Sequence, residues 1–237
     1  MWRRYSGLLC ACLAAGSTVI ADGDLERESA APSCRNLATE LTAQTTAPRG
    51  FVANAKTSCA FDAQAKQSLC KIQYTDGRGG TTTSTTTTVY NSIADVIDEI
   101  AVIPPLSYAV TATATQTGNA GATNMGSVAN TFDGNRRMVK TVYKSAGGES
   151  TTTYTEWDKV GRPTRANDVG RGFNNSRVIS YDDNARTRTT VVNGGPLRTV
   201  ETFDVNGNQI ETLATSGATA ISTKTTVTIT ASQRVCK

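Results

Sequence analysis

Five of the chain's 14 aromatic residues are followed directly by aspartate, although only 12 of the 237 positions are Asp and chance would place fewer than one such pair. The pairs are Phe61-Asp62, Phe132-Asp133, Trp157-Asp158, Tyr181-Asp182 and Phe203-Asp204. The last four rings stand 25, 24 and 22 residues apart. A near-constant period of this length marks a repeated supersecondary unit. Four residues beyond each ring stand Ala65, Arg136, Gly161, Ala185 and Gly207. Five beyond stand Lys66, Arg137, Arg162, Arg186 and Asn208. Each unit reads ring, Asp, two variable residues, a small residue, then a basic or amide residue; Arg136 is the exception at the small position.

The order has a physical logic. Asp suits the first position of a type I turn, where its carboxylate accepts backbone N–H groups, and Gly suits the position three residues later. The ring ends one strand, and the basic or amide residue opens the next. Each unit is therefore one reversal of a hairpin. A lone hairpin is marginal in water, so several must stack, each ring packing against its neighbours.

The segments between the units agree with strands. Thr81–Val89, Val110–Thr117, Ser150–Tyr154 and Thr223–Thr230 are rich in Thr and Val, which suit a pleated, half-exposed surface. Asp76-Gly77, Gly79-Gly80, Gly147-Gly148, Asn193-Gly194-Gly195-Pro196 and Asn206-Gly207 supply turn chemistry. Asn193-Gly194 between two apolar runs reads as a hairpin. The Thr- and Gly-rich stretch 111–129 has linker composition, but its alternation from Val110 to Thr115 favours strand. Helical signal is scarce. Ile93, Val96, Ile97 and Ile100 recur at helical spacing behind Ser92, a good N-cap, with Asp95 placed to complete the cap and Pro104-Pro105 as a stop. Residues 35–46 are a second, weaker helical candidate.

The segments Trp157-Asp158-Lys159-Val160-Gly161-Arg162 and Phe203-Asp204-Val205-Asn206-Gly207-Asn208 resemble the YD repeat of RHS-type proteins. Tyr181-Asp182-Asp183-Asn184-Ala185-Arg186 and the Phe132 and Phe61 units resemble degenerate copies. The resemblance covers residues 128–213, and 58–75 more weakly. It implies an all-β fold of stacked hairpins forming a curved or twisted sheet, to which the residues themselves add one short helix near 92–103. Large members of that family enclose a toxin, and others bind carbohydrate or cell surfaces. This chain is too short for such a shell and lacks the family's core segment, so encapsulation does not carry over.

The start of the chain reads as a secretory signal over residues 1–21: Arg3 and Arg4, an apolar run from Leu8 to Ala15, then Val19-Ile20-Ala21 before Asp22. A lipid anchor at Cys12 is the alternative reading. The rest divides into 22–110, holding a disulfide hairpin and the helix, and 111–237, the YD-like region. Four cysteines follow residue 21, an even number suited to an oxidising compartment, and so to a periplasmic or secreted protein. Of three connectivities the sequence favours Cys59–Cys70, stapling a local hairpin, and Cys34–Cys236, tying the ends.

The chemistry sought includes no histidine, hence no Ser-His-Asp or Cys-His system. Glu156 with Asp158, or Asp182 with Asp183, could in principle serve as a glycosidase pair, but Asp158 and Asp182 already have a turn role. Asp204-Val205-Asn206-Gly207-Asn208 resembles the start of a calcium loop, yet its twelfth position is Thr215 rather than an acid. No cofactor or metal is expected. The near-neutral charge implies no nucleic-acid partner. Residues 132–200, with 12 basic against 7 acidic side chains, leave room for an anionic glycan or a lipid headgroup, or are a solvated strand face. The reading is therefore a non-enzymatic exported structural or surface-binding protein whose partner is a cell-surface glycan or envelope protein. Two alternatives stand beside it: a companion or fragment of a contact-dependent toxin system, and a threonine-rich binder of ice or another surface.

Overall fold

A computed structural model of the chain describes residues 34–48, 51–75, 80–118, 121–193, 197–217 and 221–237. The expected signal at 1–21, Cys12, and the turn residues 76–79 and 194–196 lie outside the described residues. The first strands are β1 (Cys34–Ala47), β2 (Phe51–Asp62), β3 (Gln67–Thr75) and β4 (Thr81–Val89). A helix α1 (Ile93–Asp98) and a 3-10 turn (Glu99–Ala101) follow. Next come β5 (Thr111–Gly118), β6 (Gly121–Phe132), β7 (Met138–Ser145), β8 (Gly148–Trp157) and β9 (Pro163–Gly170). The chain finishes with β10 (Phe173–Asp182), β11 (Thr187–Asn193), β12 (Leu197–Phe203), β13 (Gln209–Ser216) and β14 (Ile221–Cys236).

Every strand pairs antiparallel with its chain neighbours, and β1 pairs with β14, closing the sheet into a 14-stranded barrel. The all-β class holds, but the open, curved or twisted sheet does not. Its correction lies in residues 35–46. Their helical spacing yields to pairing on both sides, with β14 from Cys34↔Cys236 to Thr46↔Lys224 and with β2 from Glu40↔Ser58 to Ala47↔Phe51. A sheet whose first strand bonds its last has no edges. Within the stretch 111–129, residues 111–118 and 121–129 are strand, as the alternation from Val110 to Thr115 favours, and β4–β5 pairing joins the chain across residue 110.

Side chains alternate across the wall with the period of two that strands impose. Leu41, Thr57 and Ile72 lie opposite one another on the buried face of β1, β2 and β3. Ala112, Ala166 and Ile179 are buried farther round. The intervening residues, among them Thr42, Gln44, Asn54, Lys56 and Lys71, are exposed and polar. One core cluster joins Ala38 and Leu41 with Leu37, Val227 and Ile229. A second joins Phe61, Val96 and Val235 with Leu37, Tyr90 and Ile93.

Because the strands run up and down in sequence order, every turn after an even-numbered strand falls at one rim. That rim holds all five aromatic–Asp turns, the 90–110 segment, the start of β1 and the end of β14. The helix forms where its cap predicts: the Ser92 hydroxyl accepts from Asp95 N at 3.1 Å and donates to the Asp95 carboxylate at 2.9 Å. It is shorter than the 92–103 stripe, tightening to a 3-10 turn after Asp98. The residue before a proline is driven out of helical geometry, which bounds the segment ahead of Pro104.

The helical segment spans the mouth. Val96 packs on Phe61 of β2 and Val235 of β14. Arg136, in the β6–β7 turn, bonds Asp95 and Asp98 at 2.5 and 3.1 Å, and Lys237 bonds Asp98 at 2.7 Å. A Cβ on Gly207, in the β12–β13 turn, would meet Ile100 Cγ2 at 2.9 Å. Contacts to strands so far apart round the barrel make residues 90–110 a plug. Under it, fully buried Arg35 donates to Val96 O and, at 2.8 Å, to Glu99 Oε2. Glu99 also accepts from Tyr108 N at 3.0 Å. Burial pushes the Glu99 carboxyl above its ordinary range, with the Arg35 charge opposing.

Candidate functional site

The repeat resolves into two kinds of turn. After Phe132, Trp157 and Phe203 the chain makes a type I turn closed by a bond from the fourth residue back to the Asp carbonyl. These bonds are Arg136 N to Asp133 O at 3.0 Å, Gly161 N to Asp158 O at 3.1 Å and Gly207 N to Asp204 O at 3.1 Å. The fourth residue takes a left-handed φ: 61° at Arg136, 89° at Gly161 and 74° at Gly207. Glycine adopts that conformation freely, and arginine does so only under constraint. After Phe61 and Tyr181 the turn is one residue longer. Asp62 pairs with Gln67 and Asp182 with Thr187, and the left-handed residue shifts to Lys66 (52°) and Arg186 (53°). The sequence's choice of Gly or Ala at the small position separates the two types; Arg136 sits in a glycine-type turn.

In all five turns the aspartate carboxylate is the organiser. Asp62 Oδ1 accepts from Gln64 N and Ala65 N, both at 2.9 Å, and Asp182 Oδ1 accepts from Ala185 N at 2.8 Å. In the glycine-type turns Oδ1 accepts two backbone N–H groups, and Oδ2 takes the side chain of the residue that follows the turn. Arg137 Nε reaches Asp133 at 2.8 Å, Arg162 Nε reaches Asp158 at 2.7 Å, and Asn208 Nδ2 reaches Asp204 at 2.8 Å. In these three turns the basic-or-amide residue thus completes its own turn. Backbone and side-chain bonds from Arg137 hold the Asp133 carboxyl below its usual range.

Successive turns are also joined to one another. Neighbouring turns at one rim lie two strand spacings apart, about 10 Å, a gap only long side chains bridge. Arg137 lies 4.7 Å over the Trp157 ring, whose Nε1 donates to Met138 O at 3.1 Å. Arg162 lies 4.2 Å over the Tyr181 ring, whose hydroxyl donates to Pro163 O at 2.9 Å. Arg186 Nε donates to Phe203 O at 3.2 Å, and Arg188 lies 5.6 Å over the Phe203 ring. At the other end Arg136 covers Tyr108 at 4.4 Å, and Tyr108 meets Phe132 at 6.1 Å between ring centres. The ladder leaves the plug at Tyr108, passes through four turns and returns to the plug at Gly207. Burial pushes the Tyr181 hydroxyl up to about 12.

No family model matches the chain, and no curated protein matches it.

The rim ladder gathers Phe132, Asp133, Trp157, Asp158, Gly161, Arg162, Tyr181, Asp182, Phe203, Asp204, Gly207 and Asn208, while Phe61 joins it through the plug and Asp62 serves its own turn. Both disulfides form as paired: Cys34–Cys236 across β1 and β14, and Cys59–Cys70 across β2 and β3. The carboxylates weighed as a catalytic pair are engaged elsewhere, Glu156 with Arg165 at 3.0 Å and Asp183 with Arg162 at 2.7 Å. Among the described residues no three His, Cys, Asp or Glu side chains gather as metal ligands. Sequence reasoning missed the Arg35–Glu99 pair, the Tyr108 contact and two cross-strand pairs on the buried face. These are Arg177 with Asp168 at 2.6 Å and Arg188 with Glu201 at 2.6 Å. Only their register on facing strands reveals them.

Proposed function

We propose that the chain is a non-enzymatic, exported YD-repeat-like structural protein that presents a binding surface to an envelope glycan or protein. The observation carrying this reading is the rim ladder, in which the repeat's rings, carboxylates and guanidinium groups are consumed by one another. Phe61 and Phe203 are buried, and Trp157 and Tyr181 lie under arginines. Groups so engaged hold a barrel together, and binding falls to the walls. Two disulfides suit an oxidising compartment. No helix among the described residues is long and apolar enough to cross a membrane. A barrel crossing by strands carries an apolar outer band, whereas the exposed positions here include Lys56, Lys71, Lys140 and Lys224. The test is retention of the purified protein on an envelope extract, alongside assay of soluble oligosaccharide products. Retention without turnover supports the reading; turnover, or no retention, removes it.

A second reading, a threonine-based crystal-surface binder, has one observation in its favour. On the β4–β5 wall Thr85 faces Thr115 and Thr87 faces Thr113 in adjacent rows. Absence of thermal hysteresis removes it.

A further inference from the structure

The wall formed by β14, β1, β2 and β3 carries an open trough of about 450 Å³ on its exposed face. Register arranges its lining as two cross-strand rows. Thr228 faces Thr42, Thr42 faces Lys56, and Lys56 faces Gln73. One step along the strands Thr226 faces Gln44, Gln44 faces Asn54, and Asn54 faces Thr75. Four strands at about 4.8 Å spacing make each row about 14 Å long, and the rows lie roughly 7 Å apart. Hydroxyls and primary amides supply donors and acceptors at every node but Lys56; Gln44 Nε2 and Asn54 Oδ1 share one contact of 3.4 Å. Lys56 is the one charged residue of the lining, and it has no ion pair among the described residues. The row toward the plugged rim continues through Glu40, Ser58 and Lys71, which sets a second cation, Lys71, and one carboxylate, Glu40, diagonal to Lys56 on its two sides.

These four strands are also the ones that the disulfides cross-link, Cys34–Cys236 joining β1 to β14 and Cys59–Cys70 joining β2 to β3. A covalently stapled wall keeps its polar groups in fixed positions, and preorganisation of this kind lowers the ordering penalty of binding. The ligand chemistry follows from the lining. It must be long, hydrogen-bonding along its length and anionic, and it need not stack, because no ring lines the trough.

We propose that this trough binds an oligosaccharide carrying uronic-acid carboxylates, with the carboxylate at Lys56 and the hydroxyls on the amide and threonine grid. The proposal deepens the surface-binding reading and rests on it. The test uses the full mature protein and a galacturonate hexamer, followed by calorimetry at low salt, with maltohexaose as the neutral probe. Wild type should bind the hexamer, and K56E should weaken it roughly tenfold, since one exposed ion pair is removed and a repulsion is added. The distant exposed variant K140E should bind as wild type, and Q44A/N54A should weaken both probes. No binding of the hexamer, equal affinity for maltohexaose, or equal loss in K56E and K140E overturns the assignment. Retention on envelope material that persists undiminished in K56E refutes the trough while leaving the surface-binding reading intact. Thermal unfolding of each variant confirms that the barrel is present.

Discussion

Arg162 should be the costliest single side chain to remove from the ladder of turns. It is 5 % exposed and makes three contacts: Nε to Asp158 at 2.7 Å, Nη1 to Asp183 at 2.7 Å, and its guanidinium 4.2 Å over the Tyr181 ring. In R162M the methionine keeps much of the apolar stem and loses only the charged head. A hydrogen bond between charged, partly buried groups contributes about 1.5–3 kcal/mol. The exposed Asp183 partner adds about 0–1 kcal/mol, and the ring contact about 0.5–2 kcal/mol. These overlap, so the expected loss is about 3 kcal/mol, or roughly 6–12 °C in melting temperature for a domain of this size. The control is R165M, because Arg165 and Glu156 are 59 % and 58 % exposed and such pairs contribute about 0–1 kcal/mol. Urea unfolding gives both values, provided the slope against denaturant is unchanged. A cycle adding Y181L should show coupling near 1 kcal/mol between guanidinium and ring. If R162M costs no more than R165M, or the cycle closes to zero, the turns stand independently and the ladder reasoning is refuted.

Glycine positions at the rim divide sharply: G207A should destabilise by about 2 kcal/mol or more, through left-handed strain and contact with Ile100. G134A, with open space around it, should stay within about 0.5 kcal/mol in the same denaturation assay. Removing Cys34–Cys236, which closes 202 residues, should cost about 5 kcal/mol, whereas removing Cys59–Cys70, which closes 11, should cost about 3 kcal/mol. Acid should act through two groups of opposite sign. Asp133 has a lowered folded pKa, so its contribution is present above its ordinary 3.8 and is lost as pH falls through the folded value; D133N should remove that part of the acid sensitivity. Glu99 has a raised folded pKa, so its contribution is greatest below its ordinary 4.5 and declines as pH rises through the window above; E99Q should flatten that limb of the stability profile.

The sequence showed its reversals more clearly than its closure. Ring, Asp and small residue located every turn of the repeat, because turn chemistry is local and each Asp bonds backbone within four residues. Ser92 and Asp95 marked the helix start for the same reason. The Cys34–Cys236 pairing brought the two ends together, but closure of the sheet was hidden because it depends on Cys34–Ala47 pairing as a strand with Ile221–Cys236, and nothing in residues 35–46 announces that pairing. Leu37 and Leu41 have helical spacing in isolation, yet they lie in a strand with neighbours on both sides. The plug was equally opaque: Arg35, Glu99 and Tyr108 are ordinary residues until the barrel brings them together.

Pairing of the first strand with the last also sets the order of assembly. During synthesis β1 is made first and its outer partner arrives only when β14 is complete, so the seam is the most non-local contact of the fold. Until then the nascent sheet carries a free border at each side, the state in which β-rich chains misassociate. Zipping can proceed hairpin by hairpin from any turn, but the final registration waits on loop closure over nearly the whole chain, which makes folding slow. Oxidation of Cys34 and Cys236 to their disulfide would trap that last event in place.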